Sequence, residues 1–146
     1  MKGIIHDHIA ITPDPLAPSR LIADITDPAA GGIAVFLGTT RTEANADGRT
    51  LLALDYDAYP EMAQKQLADL ARRARDRWPI SRLAIVHRTG RVAIGEPSVI
   101  IAVSTPHRAE AFEACKWLID TLKSEAAIWK KEIWQDGSST WVHPNL

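Results

Sequence analysis

Six basic residues, Arg41, His107, Arg108, Lys123, Lys130 and Lys131, stand at the ends of otherwise apolar segments and are of types that handle anions. His107 and Arg108 fall where the apolar run SVIIAVST gives way to a helical pattern, so backbone N–H groups and the helix dipole converge there. An arginine fork beside such donors suits a phosphate or carboxylate. A solvated loop carries the same pair, so these two residues decide little alone. Lys123 closes the same helical pattern, where a lysine also meets the dipole. Lys130 and Lys131 are consecutive in a strand pattern and must face opposite ways, with Glu132 on the Lys130 side. Lysine pairs of this kind also protect edge strands from aggregation. What the set offers together is a positive pocket in a chain of net charge −1. A lysine crowded by other cations gives up its proton more easily and can serve as a base.

The elements that must position these residues are legible from period and punctuation. Residues 3–11 alternate and predict a strand; Leu16 to Ile25 predicts a helix ended by Asp27-Pro28 and Gly31-Gly32. IAVFLGTT (33–40), LLALDYDA (51–58) and SVIIAVST (98–105) predict strands, and RLAIVHRTGRVAIG predicts two around Thr89-Gly90. Ala63, Leu67, Leu70, Ala71, Ala74 and Trp78 form one apolar stripe of a long helix begun at Pro60. A second helix runs from Arg108 to Lys123 with Phe112, Cys115, Leu118, Ile119 and Leu122 on one face. IWKKEIWQDGSSTWVH predicts a hairpin over about 128–143, turning at Asp136-Gly137. Hairpins mixed with helices favour an α+β fold over a doubly wound one.

At 146 residues, 46% hydrophobic and 24% charged, the chain reads as one globular domain, residues 1–146. Seventeen basic against eighteen acidic residues argue against nucleic acid as a partner. No apolar run is long enough for a membrane span or a secretion signal, so the expected compartment is the cytoplasm. The single cysteine, Cys115, lies on an apolar stripe and reads as a packing residue. Four of the five tryptophans, Trp117, Trp129, Trp134 and Trp141, crowd the last thirty or so residues and offer partner-interface material, Trp134 in particular.

The segments FLGTTR (36–41), DYDAYPEMA (55–63), RWPISRLAIVHRTGRVAIGE (77–96) and HRAEAFEACKWLIDTLKSEAAIWKKE (107–132) resemble the large, catalytic subunit of molybdopterin synthase. The likeness runs in order over about four fifths of the chain. It implies an α/β-hammerhead-like domain with an additional antiparallel sheet. It implies a sulfurtransferase that converts cyclic pyranopterin monophosphate to the dithiolene of molybdopterin. The sulfur would come from the C-terminal Gly-Gly thiocarboxylate of a small ubiquitin-like carrier, on a homodimer within a heterotetramer. By the same resemblance Lys123 and Lys130 are the catalytic pair, while Arg41, His107 and Arg108 bind substrate; Lys131, beside Lys130, is expected to join the substrate-binding group, and no metal or cofactor is expected. In two places the sequence departs from the pattern: Ala127 stands where proline often precedes the aromatic-Trp-Lys step, and no basic tail follows the last strand.

Three other readings compete. His6 and His8 share a strand face and with His87 or His143 would make a zinc site, although no HExxH or CxxC accompanies them. A non-catalytic scaffold for a ubiquitin-like partner or a phosphate metabolite would not need both Lys123 and Lys130. A phosphoesterase would usually want a metal-binding carboxylate cluster, and the sequence displays none.

Overall fold

The computed structural model describes residues 7–142. In chain order the elements are β1 (His8–Thr12), α1 (Pro18–Asp24), β2 (Gly32–Thr39), β3 (Leu51–Ala58), α2 (Pro60–Arg77), β4 (Arg82–Arg88), β5 (Gly90–Ala93), β6 (Pro97–Thr105), α3 (Arg108–Glu125), β7 (Ile128–Trp134) and β8 (Ser139–Val142). They build two four-stranded sheets, ordered β1-β4-β6-β2 and β5-β3-β7-β8. β1 and β4 pair in parallel and the other pairs are antiparallel. This is the α+β arrangement the sequence predicts. Residues 3–6 of the expected first strand and His143 of the expected hairpin lie outside the described residues.

β6 is buried from Ser98 to Thr105 because helices cover both faces of its sheet. On one face α2 brings Leu67, Leu70 and Ala74, and α3 brings Ala114, Leu118 and Leu122, onto Leu83, Ile85, Ile101 and Val103. On the other, Leu21 of α1 meets Val86 and Ile100. Truncating a core leucine such as Leu118 to alanine costs about 2–5 kcal/mol. Phe112 departs from the expected stripe: it is 66% exposed. At 100° per residue it lies about 60° round the helix from Cys115, at the stripe's edge, where nothing in the sheet reaches it.

The second sheet has a small core of its own, Leu51, Leu54 and Trp134. Trp134 is 3% exposed and its indole N–H donates to Thr140 Oγ1 at 3.2 Å. It therefore packs the sheet rather than offering itself to a partner, and a charge there would unfold the hairpin. Trp141, on the opposite face of that hairpin, is exposed. Gly137, at φ +87°, takes the left-handed position that the β7–β8 turn requires. No helix among the described residues is long and apolar enough to cross a membrane.

Candidate active site

The two sheets and the C-terminal end of α3 enclose an open cleft of about 560 Å³. Lys123 enters it from the last turn of α3, Lys130 from β7, and Arg41 from the loop after β2. Its inner wall is apolar, from Val99, Ile119 and Leu122.

The helix stops where the chain must turn into β7. The Ala126 N–H still reaches Leu122 O at 3.0 Å, but Ala126 is extended (φ −73°, ψ 140°). Gln66 of α2 then clamps the turn with both ends of its amide. Its Oε1 accepts from the Ala127 N–H at 2.6 Å and its Nε2 donates to Glu125 O at 3.0 Å. Arg73 adds an ion pair to Glu125 at 2.9 Å. The clamp thus fixes the spacing of Lys123 and Lys130. Neither lysine makes an ion pair among the described residues, whereas Lys116 on the same helix meets Asp120 at 2.6 Å.

Strand alternation puts Lys130 and Glu132 on the cleft and turns Lys131 away. The Lys131 ammonium sits 5.3 Å from the centre of the Trp141 ring on the far face of the hairpin. From the sequence Lys131 is expected among the substrate-binding residues, and the pleat of β7 is what keeps it out of the cleft. Arg41 is exposed, with Glu43 3.9 Å from its Nε. The residue before it is fixed: Thr40 N–H donates to Glu96 O at 3.2 Å and Thr40 O accepts from Gly95 N–H at 2.7 Å.

Four more residues that the sequence does not mark as part of the basic site line the cleft. Glu43 and Glu132 line the rim. Burial, followed by the hydrogen bond and charge of Glu43, holds the Glu132 carboxyl above the usual carboxylate range, against an opposing pull from Lys130. Tyr56 and His87 form the floor, their rings 4.9 Å apart and edge-on. Burial raises the Tyr56 phenol against a smaller effect of its hydrogen bond with Ser98. The only sequence signal for Glu132 was its shared face with Lys130, His87 entered only as a possible zinc ligand, and Gln66 and Tyr56 looked like ordinary solvent-edge and core residues.

His107 and Arg108 are elsewhere. They border a separate depression with Gly31, Pro106 and Ala109 at the N-terminal end of α3. Sixteen residues at 1.5 Å each put this pair about 24 Å from Lys123 along the helix axis. The two glycines let β2 begin there: a Cβ on Gly31 would lie 2.7 Å from Pro106 O, and one on Gly32 3.0 Å from Arg108 Cα. Within one chain the expected basic pocket is therefore split, with Arg41, Lys123 and Lys130 in the cleft and His107 and Arg108 at the far end of α3, because the two ends of one helix cannot meet.

Cys115 is sealed in the core beside Ile101 O at 3.7 Å. Burial pushes its thiol up to about 11, so it offers no thiolate at neutral pH. Among the described residues no three His, Cys, Asp or Glu side chains stand where they could hold a metal ion.

The fold is α+β, and its cleft gathers two lysines and an arginine between the two sheets. The family model described as MoaE protein matches residues 11–125. The chain is 46% identical over 143 residues to a molybdopterin synthase catalytic subunit of Nostoc sp., covering 97% of this chain and 86% of the relative. It is 44% identical over 137 residues to that of Halalkalibacterium halodurans, covering 94% and 86%. The solved structure of molybdopterin synthase from Staphylococcus aureus superposes with TM-score 0.87 at 35% identity, over 92% of this chain and 96% of that one. The chain belongs to the MoaE family of molybdopterin synthase catalytic subunits, and its chemistry is sulfur transfer in molybdopterin formation for the molybdenum cofactor.

Proposed function

We propose that Lys123 and Lys130 are the catalytic pair of this cleft and that Arg41 holds the substrate's anionic end. The observation that carries the reading is two ammonium groups without ion-pair partners among the described residues, converging with an arginine on one cleft. The substrate is cyclic pyranopterin monophosphate, and the sulfur arrives as the C-terminal Gly-Gly thiocarboxylate of a small ubiquitin-like subunit. The relatives' designation as catalytic subunits supports a second kind of subunit, and the buried Cys115 leaves the chain no sulfur nucleophile of its own. The lysines polarise the carbonyl and the thiocarboxylate and move protons during two successive sulfur transfers. Positive charge fixed beside the phosphate stabilises the negative charge that grows as the cyclic phosphate opens.

His107 and Arg108 join this site across a dimer. β2 begins beside Arg108 and ends at the cleft, where Gly38 and Thr39 lead to Arg41. It is an edge strand, and Ile33, Val35 and Leu37 on one of its faces are 40%, 38% and 40% exposed. A two-fold axis through the middle of that apolar strip brings the Arg108 end of one copy to the Arg41 end of the other. Two copies, each with a carrier, give a heterotetramer. The compartment we assign is the cytoplasm.

Reconstitution tests the reading. Purified chain, thiocarboxylated carrier and precursor are mixed, and dithiolene product is followed as its oxidised fluorescent derivative. Product that requires both partners and is lost in Lys123→Ala supports the assignment; wild-type activity in that variant refutes it.

A further inference from the structure

His87 of β4 is 4% exposed yet lines the floor of the cleft. Its Nδ1 lies 2.8 Å from Arg88 O. A carbonyl oxygen only accepts, so Nδ1 carries the proton and Nε2 presents a lone pair. Nε2 has no hydrogen-bond partner among the described residues. Nor is it one of their sealed-off polar atoms, which are Thr40 Oγ1, Arg88 Nε and Glu110 Oε2. Because His87 lines the cleft, Nε2 is the ring nitrogen available to whatever enters it. The Tyr56 ring, edge-on at 4.9 Å and 68°, fixes the imidazole plane. Burial keeps the imidazole neutral down to about pH 4, so Arg41, Lys123 and Lys130 share the cleft with an uncharged acceptor.

The groups beside it on the floor do not duplicate it, and the carboxyl acceptors of the cleft, Glu43 and Glu132, stand at the rim. The Ser98 hydroxyl donates to Gly38 O at 3.3 Å, and Val99, Ile119 and Leu122 are apolar. A phosphate has only acceptors at its surface near neutrality and gains nothing from Nε2, whereas a planar heterocycle with ring N–H groups fits both the apolar wall and the lone pair. We infer that His87 Nε2 accepts a hydrogen bond from an N–H of the substrate's heterocycle, so that His87 orients the ring inward and the phosphate toward Arg41. The inference rests on the function proposed above and adds a substrate-positioning residue to it.

Two amide variants separate this role from a structural one. In His87→Asn the side-chain NH₂ stands where Nδ1 was and keeps the bond to Arg88 O, but nothing replaces Nε2. In His87→Gln the longer amide returns an acceptor near Nε2 and gives up the Arg88 bond. In the reconstituted reaction His87→Asn raises KM for the precursor about tenfold or more with kcat nearly kept, since an unpaired N–H is what it leaves behind. His87→Gln restores KM to within about threefold of wild type, as expected when the acceptor returns. The reverse order, Asn normal and Gln impaired, makes His87 an anchor for β4 and overturns the inference. If neither variant folds, competition by a phosphate-free pterin on the wild-type enzyme decides: inhibition supports the inference and its absence overturns it. A wild-type protein that forms no product brings down the proposed function first and this inference with it, a result distinct from a variant failure.

Discussion

Tyr56 on β3 stands directly opposite Lys130 on β7 in the antiparallel register of the second sheet, so phenol and ammonium leave the sheet on one face and both reach the cleft. The phenol, raised by burial, stays neutral and gives Lys130 no counter-charge. Lys130→Ala is therefore expected to lower turnover by about a hundredfold or more, the usual scale of a lost proton-transfer group. Lys130→Arg does not restore it, because a guanidinium keeps its charge but cannot act as a base. Single-turnover rates check both, and unchanged melting curves show that the half-exposed side chain was not holding the fold.

Gln66 is the second point of leverage, since it grips both Glu125 O and the Ala127 N–H. Gln66→Leu removes two hydrogen bonds and is expected to cost about 1–3 kcal/mol. Because the clamp sets the lysine spacing, kcat falls by more than KM changes. Ala127→Pro makes the connection explicit. Ala126 already has the extended backbone that a residue before proline needs, but proline deletes the N–H that Gln66 receives. The proline variant should lose stability in the wild-type background and much less in Gln66→Leu. Equal losses in the two backgrounds, measured by denaturant titration, would mean the clamp is not coupled to the turn.

Much of this was readable along the chain. The α2 stripe, the apolar β6 run and the Asp136-Gly137 turn each follow from local period and turn chemistry, and the pleat alone separates Lys130 from Lys131. What could not be read is pairing through space. Gln66 meets Ala127 across 61 positions of sequence, and a glutamine at the edge of a helix stripe looks like any solvated residue. His87 sits within RLAIVHR, where burial hides the lone pair it turns to the cleft. His107 and Lys123 were grouped because each stands at the end of an apolar element, although the helix between them holds them about 24 Å apart.

His87 also predicts how stability depends on pH. Its conjugate acid is depressed from 6.5 to about 4 by burial, so between those values the unfolded chain binds a proton that the folded one refuses. Stability from this group is fully present above about pH 6.5 and is lost as pH falls toward 4. At 1.36 kcal/mol per unit the loss is about 3 kcal/mol. Urea titrations of wild type between pH 7 and 4 should slope accordingly, and His87→Asn should remove that share of the slope. An unchanged slope in the variant would assign the acid sensitivity to other groups.

The separation of Arg108 from Lys123 gives the sharpest test of how the site is assembled. If each cleft takes its phosphate-holding pair from the other copy, the defects of Lys123→Ala and Arg108→Ala lie in different clefts of a mixed dimer. Each variant alone is inactive or nearly so, since every cleft of its homodimer lacks one group. After the two are unfolded together and refolded, half the dimers are mixed, and each of these has one cleft with both defects and one with none. Activity should return to about a quarter of wild type for a statistical mixture. Val35→Glu, which puts charge into the apolar strip of β2, should yield monomers by sedimentation and block the rescue. If the mixture stays as inactive as its components while Val35→Glu remains active as a monomer, the pair at the start of α3 serves some other anion, and the cleft works with Arg41 alone.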